Sequence, residues 1–170
     1  MDADSERAFE QFVRERSAAL FRTAYLVTGD AHQAEDLLQS AFERAYRRWR
    51  RIRSMDYPEA YVRRMVVNLA NDRRRFHRGR DEVALEESTS TSGPDGTALV
   101  DLRQALLVGL RQLPVGMRTV LVLRYWEGLS EAEVAAELGR SVGTVKSQAS
   151  RGLDRLRQLT AGPLPFELLC

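Results

Sequence analysis

A chain of 170 residues holds one ordinary domain or two small ones, and 44% hydrophobic with 29% charged residues is enough material for packed cores. No apolar run approaches the ~18 residues of a membrane span, and the N-terminus MDADSERAFEQF is acidic where an export signal is basic and then apolar, so a cytoplasmic protein without membrane insertion is expected. Cys170 is the only cysteine, and His32 and His77 stand at no metal-ligand spacing, so neither an internal disulfide nor a metal or other cofactor is expected; the net charge of +2 conceals an uneven distribution.

The chain opens with Phe9, Phe12, Val13, Leu20, Ala24 and Val27 on one helical stripe, which Gly29 ends. Asp30, with Gln33 three residues on, marks the next start. From there Ala34, Leu37, Leu38, Ala41, Phe42, Ala45, Trp49 and Ile52 make one continuous apolar face, opposite Asp36, Gln39, Glu43 and a series of arginines. Pro58 predicts a third helix, since its missing N–H costs nothing in a first turn. Tyr61, Val62, Met65 and Leu69 turn inward by period, leaving Arg64, Asn68, Asn71 and Arg75 on a cationic outer side without carboxylates.

Residues 1 to 80 carry 17 basic and 12 acidic groups, and the runs RAYRRWRRIR and RRRFHRGR hold eleven of the 26 basic residues of the chain. Of those 26 only Lys146 is lysine. Arginine forks onto phosphate, which suits nucleic acid, although arginine-rich codon usage gives the same bias. Residues 81 to 98 carry no basic and five acidic groups, with a Ser/Thr run and a Gly-Pro-Asp-Gly turn signal, and predict a linker.

Beyond the linker, Leu102, Leu106, Leu107 and Leu110 precede Leu-Pro, and Met117, Val120, Leu121 and Val122 lead to RYWEGLSEAEVAAEL. Ser130 and Glu133 form a capping box, with Leu129 and Val134 as its hydrophobic staple. Gly139 suits a left-handed helix end and Ser141 the cap of the next helix. Two helices joined by so short a glycine-containing turn predict a helix-turn-helix, whose second helix enters the major groove of DNA. In that helix Val142, Val145, Ala149, Gly152, Leu153 and Leu156 fall in one sector. Gly143, Thr144, Ser147, Ser150, Arg151 and Asp154 fall opposite, flanked by Lys146 and Gln148: short donors and cations, Asp154 apart, suited to phosphates and base edges. The same geometry also serves purely structural packing. The fold expected is all-α, with two small helical domains.

Nearly the whole chain resembles the extracytoplasmic-function (group 4) RNA polymerase sigma factors, closest to their actinobacterial SigE-like group. AEDLLQSAFERAYRRW resembles the family's regions 2.1 to 2.2, and YPEAYVRRMVVNLANDRRR resembles regions 2.3 to 2.4. LPVGMRTVLVLRYWEGLSEAEVAAELGRSVGTVKSQASRGLDRLR resembles region 4 and is the most specific match. Ser40 stands where many members carry glutamate, and Ala60-Tyr61-Val62 where many carry Ala-Trp-Leu.

The resemblance implies a sigma-2 bundle over 1–80, the acidic linker over 81–98, a sigma-4 helix-turn-helix domain over 99–160 and a tail over 161–170. It implies a dissociable, non-catalytic subunit that gives core RNA polymerase its promoter specificity, at work in the cytoplasm and on the nucleoid. Asp36, Gln39 and Glu43 would dock on the β′ clamp helices, and the second domain on the β flap. Arg64, Asn68, Asn71, Arg74 and Arg75 would hold the melted non-template strand of the −10 element, where a flipped base must recover a few kcal/mol of lost stacking. Arg140, Ser141, Thr144, Lys146, Ser147, Gln148, Ser150 and Arg151 would read the −35 element. The linker would thread toward the RNA exit path or serve only as a tether, and an anti-sigma factor is a further partner the family allows.

Two other classes make different demands on the sequence. An autonomous helix-turn-helix regulator needs a ligand pocket, phosphoacceptor or dimer interface in residues 1 to 80, which are instead arginine-rich. A nucleic-acid enzyme needs clustered carboxylates or a nucleophile with its base, and the acidic residues here are dispersed.

Overall fold

The structure, a computed structural model, describes residues 2–77 and 98–160, with side chains over 2–72 and 102–160. The described residues form helices α1 (Ala3–Thr28), α2 (Ala31–Arg47), α3 (Trp49–Ile52), α4 (Pro58–His77), α5 (Ala98–Gln112), α6 (Val115–Leu121), α7 (Glu131–Leu138) and α8 (Val142–Thr160), with a π-helical turn over Val122–Trp126. The linker proper and the tail lie outside the described residues.

Local chemistry sets the helix ends. The Asp2 carboxylate caps α1 by accepting from the Ser5 N–H at 2.8 Å. Gly29 ends it in the left-handed conformation, φ 78°, with its N–H on the Tyr25 carbonyl at 2.7 Å. The Asp30 carboxylate then caps α2, accepting from the Gln33 N–H at 2.7 Å. The apolar face expected to run unbroken to Ile52 is interrupted at Arg48, whose φ of −118° separates α2 from α3. Trp49 and Ile52 stay buried because the break turns α3 back toward α1. Phe9 and Phe12 meet the Trp49 ring at 5.2 and 4.9 Å.

One continuous core joins Leu20, Ala24 and Val27 of α1 to Leu37 and Ala41 of α2 and to Val62, Val66 and Val67 of α4. Tyr61 and Met65, expected inward, are only partly buried, whereas Val66 and Val67 are fully covered. α4 is therefore sandwiched more widely than its four predicted positions implied. The same core continues through Leu106 and Leu110 of α5, Val120 and Leu121 of α6, Val134 of α7, and Val145, Ala149 and Leu156 of α8.

The two helical groups pack against each other, α1 against α5 and α6 and α4 against α7. Gly29 lies at this junction: a Cβ there would sit 2.7 Å from Arg118 Nη1 and 2.9 Å from Arg111 Cγ. Glycine is thus required twice at position 29, by its backbone conformation and by the close approach of the second group.

Candidate nucleic-acid interface

The helix-turn-helix forms as its signals predict. Ser130 and Glu133 complete the reciprocal capping box, Glu133 N–H donating to Ser130 Oγ at 3.2 Å and Ser130 N–H to Glu133 Oε2 at 2.7 Å. Hydrogen bonding to its carboxylate from the Ser130 side chain and then from the Ser130 N–H holds the Glu133 carboxyl below its ordinary pKa. Gly139 takes φ 61°, and the Arg140 N–H closes the turn onto the Ala135 carbonyl at 2.9 Å. Ser141 caps α8, accepting the Thr144 N–H at 3.1 Å.

α8 buries Val145, Ala149, Gly152 and Leu156. Val142, the first residue of α8, departs from the expected core: it is 40% exposed. On the opposite side Ser141, Thr144, Lys146, Ser147, Ser150 and Arg151 are all exposed, and Arg140 and Gln148 are half-buried. Some of these groups are already engaged within the protein. The Thr144 and Ser141 hydroxyls lie 2.8 Å apart, Ser147 Oγ donates to the Thr144 carbonyl at 3.0 Å, and Arg140 Nη1 donates to Gln148 Oε1 at 2.8 Å. The last contact fixes the Gln148 amide and leaves its NH2 group as the donor for an acceptor on a base. Lys146 Nζ is 3.6 Å from Glu131 Oε2, an exposed pair that phosphate can displace.

On α4, Arg64 and Asn68 are exposed and Asn71 is half-buried, on the side away from Val62 and Val66. The Arg74 and Arg75 side chains lie outside the described residues. Part of the upstream basic run is tied to the start of α1: Arg50 pairs with Asp2 at 2.6 Å and Arg53 with Asp4 at 3.2 Å. Asp36, Gln39 and Glu43 are all exposed on α2. Gln39 and Glu43 border a shallow depression of about 470 Å³ with Phe9, Phe42, Tyr46 and Arg47. Among the described residues no cluster of His, Cys, Asp or Glu is arranged to hold a metal ion, and no helix is long and apolar enough to cross a membrane.

Sequence reasoning missed the residues that join the two helical groups. Arg63 Nη1 donates to Glu127 Oε2 at 3.0 Å, while its Nε and Nη2 each reach a Glu137 oxygen at 3.4 Å. Burial pulls the Arg63 pKa down, and the two carboxylates more than offset this, leaving it raised. Thr23 Oγ1 donates to the other Glu127 oxygen. Nearby, buried Arg118 donates to the Thr28 carbonyl at 2.8 Å, and Arg111 to the Tyr25 hydroxyl. Arg63 looks like one more member of a cationic helix when read from sequence, and only its neighbours in space distinguish it.

Two family models match: Sigma-70 region 2 over residues 12–80 and Sigma-70 region 4 over residues 103–156. The RNA polymerase sigma-E factor of Streptomyces coelicolor is 41% identical over 150 residues, covering 88% of this chain and 84% of that protein. The ECF RNA polymerase sigma factor SigM of Mycobacterium tuberculosis is 33% identical over 157 residues, covering 92% of this chain and 79% of that protein. In fold, the chain is similar to the sigma factor RpoE of Bartonella quintana, solved in complex with the anti-sigma factor NepR, with a TM-score of 0.70 at 24% identity over 93% of this chain and 99% of that one. Two matched regions in the right order, on a helix-turn-helix and an arginine-bordered bundle, place the chain in the extracytoplasmic-function sigma factors of RNA polymerase, in the sigma-E-like group.

Proposed function

We propose that this sigma factor grips its promoter twice, with α8 in the major groove of the −35 element and α4 on the melted non-template strand of the −10 element. The chain acts in promoter-specific initiation with RNA polymerase and not as an autonomous regulator. One observation carries the residue assignments: a single chain exposes the Ser, Thr and Arg face of α8 and, on a separate helix, Arg64 and Asn68. Arg140, Ser141, Thr144, Lys146, Ser147, Gln148, Ser150 and Arg151 make the −35 contacts. Arg64, Asn68 and Asn71, continued by Arg74 and Arg75, make the −10 contacts.

Asp36, Gln39 and Glu43 dock on the β′ clamp helices, beside the depression between α1 and α2, and the second domain docks on the β flap. Residues 1–80 and 99–160 serve as the two domains, 81–98 as the acidic linker and 161–170 as a tail. The protein has no chemistry of its own, works on the cytoplasmic nucleoid, and takes an anti-sigma factor as a further partner.

Positioning and reading separate in a binding experiment on the holoenzyme. Arg151→Ala weakens binding uniformly across promoter variants and lowers the salt slope by about 1. Gln148→Ala, which removes one donor to a base, costs about 0.5–1.5 kcal/mol at one base pair of the −35 element and relaxes preference there. Measured across a panel of −35 variants, an unchanged base preference for Gln148→Ala removes that residue from the reading face.

A further inference from the structure

We infer that Arg140 is a positioning residue for base choice: by holding the amide oxygen of Gln148 it turns that side chain into a donor for guanine and away from adenine. This rests on the placement of α8 in the major groove of the −35 element proposed above. Gln148 stands four residues after Thr144 and three before Arg151 on α8, so the three side chains share one face. Thr144 and Arg151 are exposed there, and Gln148 is half-buried between them, as Arg140 is beside it. The turn places the arginine before any DNA arrives. Gly139 takes φ 61° and the Arg140 N–H donates to the Ala135 carbonyl at 2.9 Å, which fixes the backbone from which the guanidinium departs.

From that backbone Arg140 Nη1 donates to Gln148 Oε1 at 2.8 Å. A guanidinium carries donors and no acceptor, so only the oxygen of the carboxamide can face it. The other flank of α8 is held more loosely, with Lys146 and Glu131 at 3.6 Å in an exposed pair. A glutamine free to turn reads adenine with both ends of its amide, the oxygen accepting from the N6 amino group and the nitrogen donating to N7. In this chain the oxygen already serves a cation, and an adenine amino group would bring its own N–H dipole against Arg140. What Gln148 has left is an NH2 group with two donors. Guanine alone offers two neighbouring acceptors in the major groove, N7 and O6, whereas cytosine offers the N4 amino donor. The Arg140–Gln148 arrangement is therefore complementary to guanine. Any phosphate contact of Arg140 adds affinity to every sequence alike and leaves this choice untouched.

The test binds holoenzyme containing the full chain to a promoter panel in which each position of the −35 element carries each of the four base pairs. Wild type prefers guanine to adenine at one position. Arg140→Met releases the Gln148 oxygen and lowers the guanine-to-adenine affinity ratio there at least about fivefold, the low end of a two-point base contact. In a Gln148→Ala background the same Arg140→Met change leaves that ratio within about twofold, because Arg140 acts through Gln148. Arg140→Lys keeps the guanine preference, since the contact uses a single N–H. Gln148→Glu, with acceptors only, moves the preference to cytosine at the same position. A merely structural role for Arg140 weakens all −35 sequences alike and leaves the ratios unmoved. Adenine preference in wild type, an unchanged ratio in Arg140→Met, or an equal fall with and without Gln148 overturns the assignment. Failure of the groove placement itself registers differently, as no −35 protection in the footprint of the wild-type holoenzyme.

Discussion

Truncation of Leu121 to alanine lowers the stability of the folded protein by about 2–5 kcal/mol, as measured by urea denaturation followed by ellipticity. Leu121 is fully buried on α6 and lies over Gly152 of α8, where a Cβ on the glycine would be 3.2 Å from Leu121 Cδ1. The facing residue has no side chain to move into the space that truncation leaves, so the cavity persists and the cost falls high in the range. Since α8 is held in place by this contact, −35 binding falls with it. Val142→Ala on the same helix is the matched control: at 40% exposure it shifts stability by no more than about 0.5 kcal/mol. Equal effects of the two substitutions contradict the packing described for α8.

The second large effect is on promoter opening. Asn68→Ala reduces the open complex about tenfold, read by permanganate reactivity of unpaired thymines, which corresponds to the loss of base hydrogen bonds worth about 1–3 kcal/mol. Closed-complex affinity stays within about twofold of wild type, because duplex DNA does not present the flipped base to α4. Asn68 is exposed beside buried Val67, so the change leaves the core of the bundle alone. Equal loss in closed and open complexes removes Asn68 from base capture and returns it to general affinity.

Features decided within a few residues were legible in the sequence. Asp30 with Gln33, Ser130 with Glu133, Gly139 and Ser141 each satisfy backbone groups one turn away, and each takes its expected place. The apolar faces of α2 and α8 were legible for the same reason, since period places them before any partner is known. What escaped depends on the partner. The break at Arg48, the exposure of Val142 and the full burial of Val66 and Val67 follow from where neighbouring helices press. The ion contacts across the junction escaped most completely: Arg63 sits beside Arg64 in sequence, yet Arg64 is exposed and Arg63 is bound by carboxylates 64 and 74 residues away. The same distinction separates Arg50 and Arg53, paired with the start of α1, from the rest of a basic run that reads as uniformly available.

Run-off transcription with core RNA polymerase and a library of genomic promoter fragments decides whether the protein works as a promoter-specificity subunit of the polymerase. A promoter-specific transcript is expected only when the protein and the core enzyme are combined, with weak DNA binding by the protein alone. Absence of such a transcript, together with a palindromic footprint from the protein without polymerase, contradicts it.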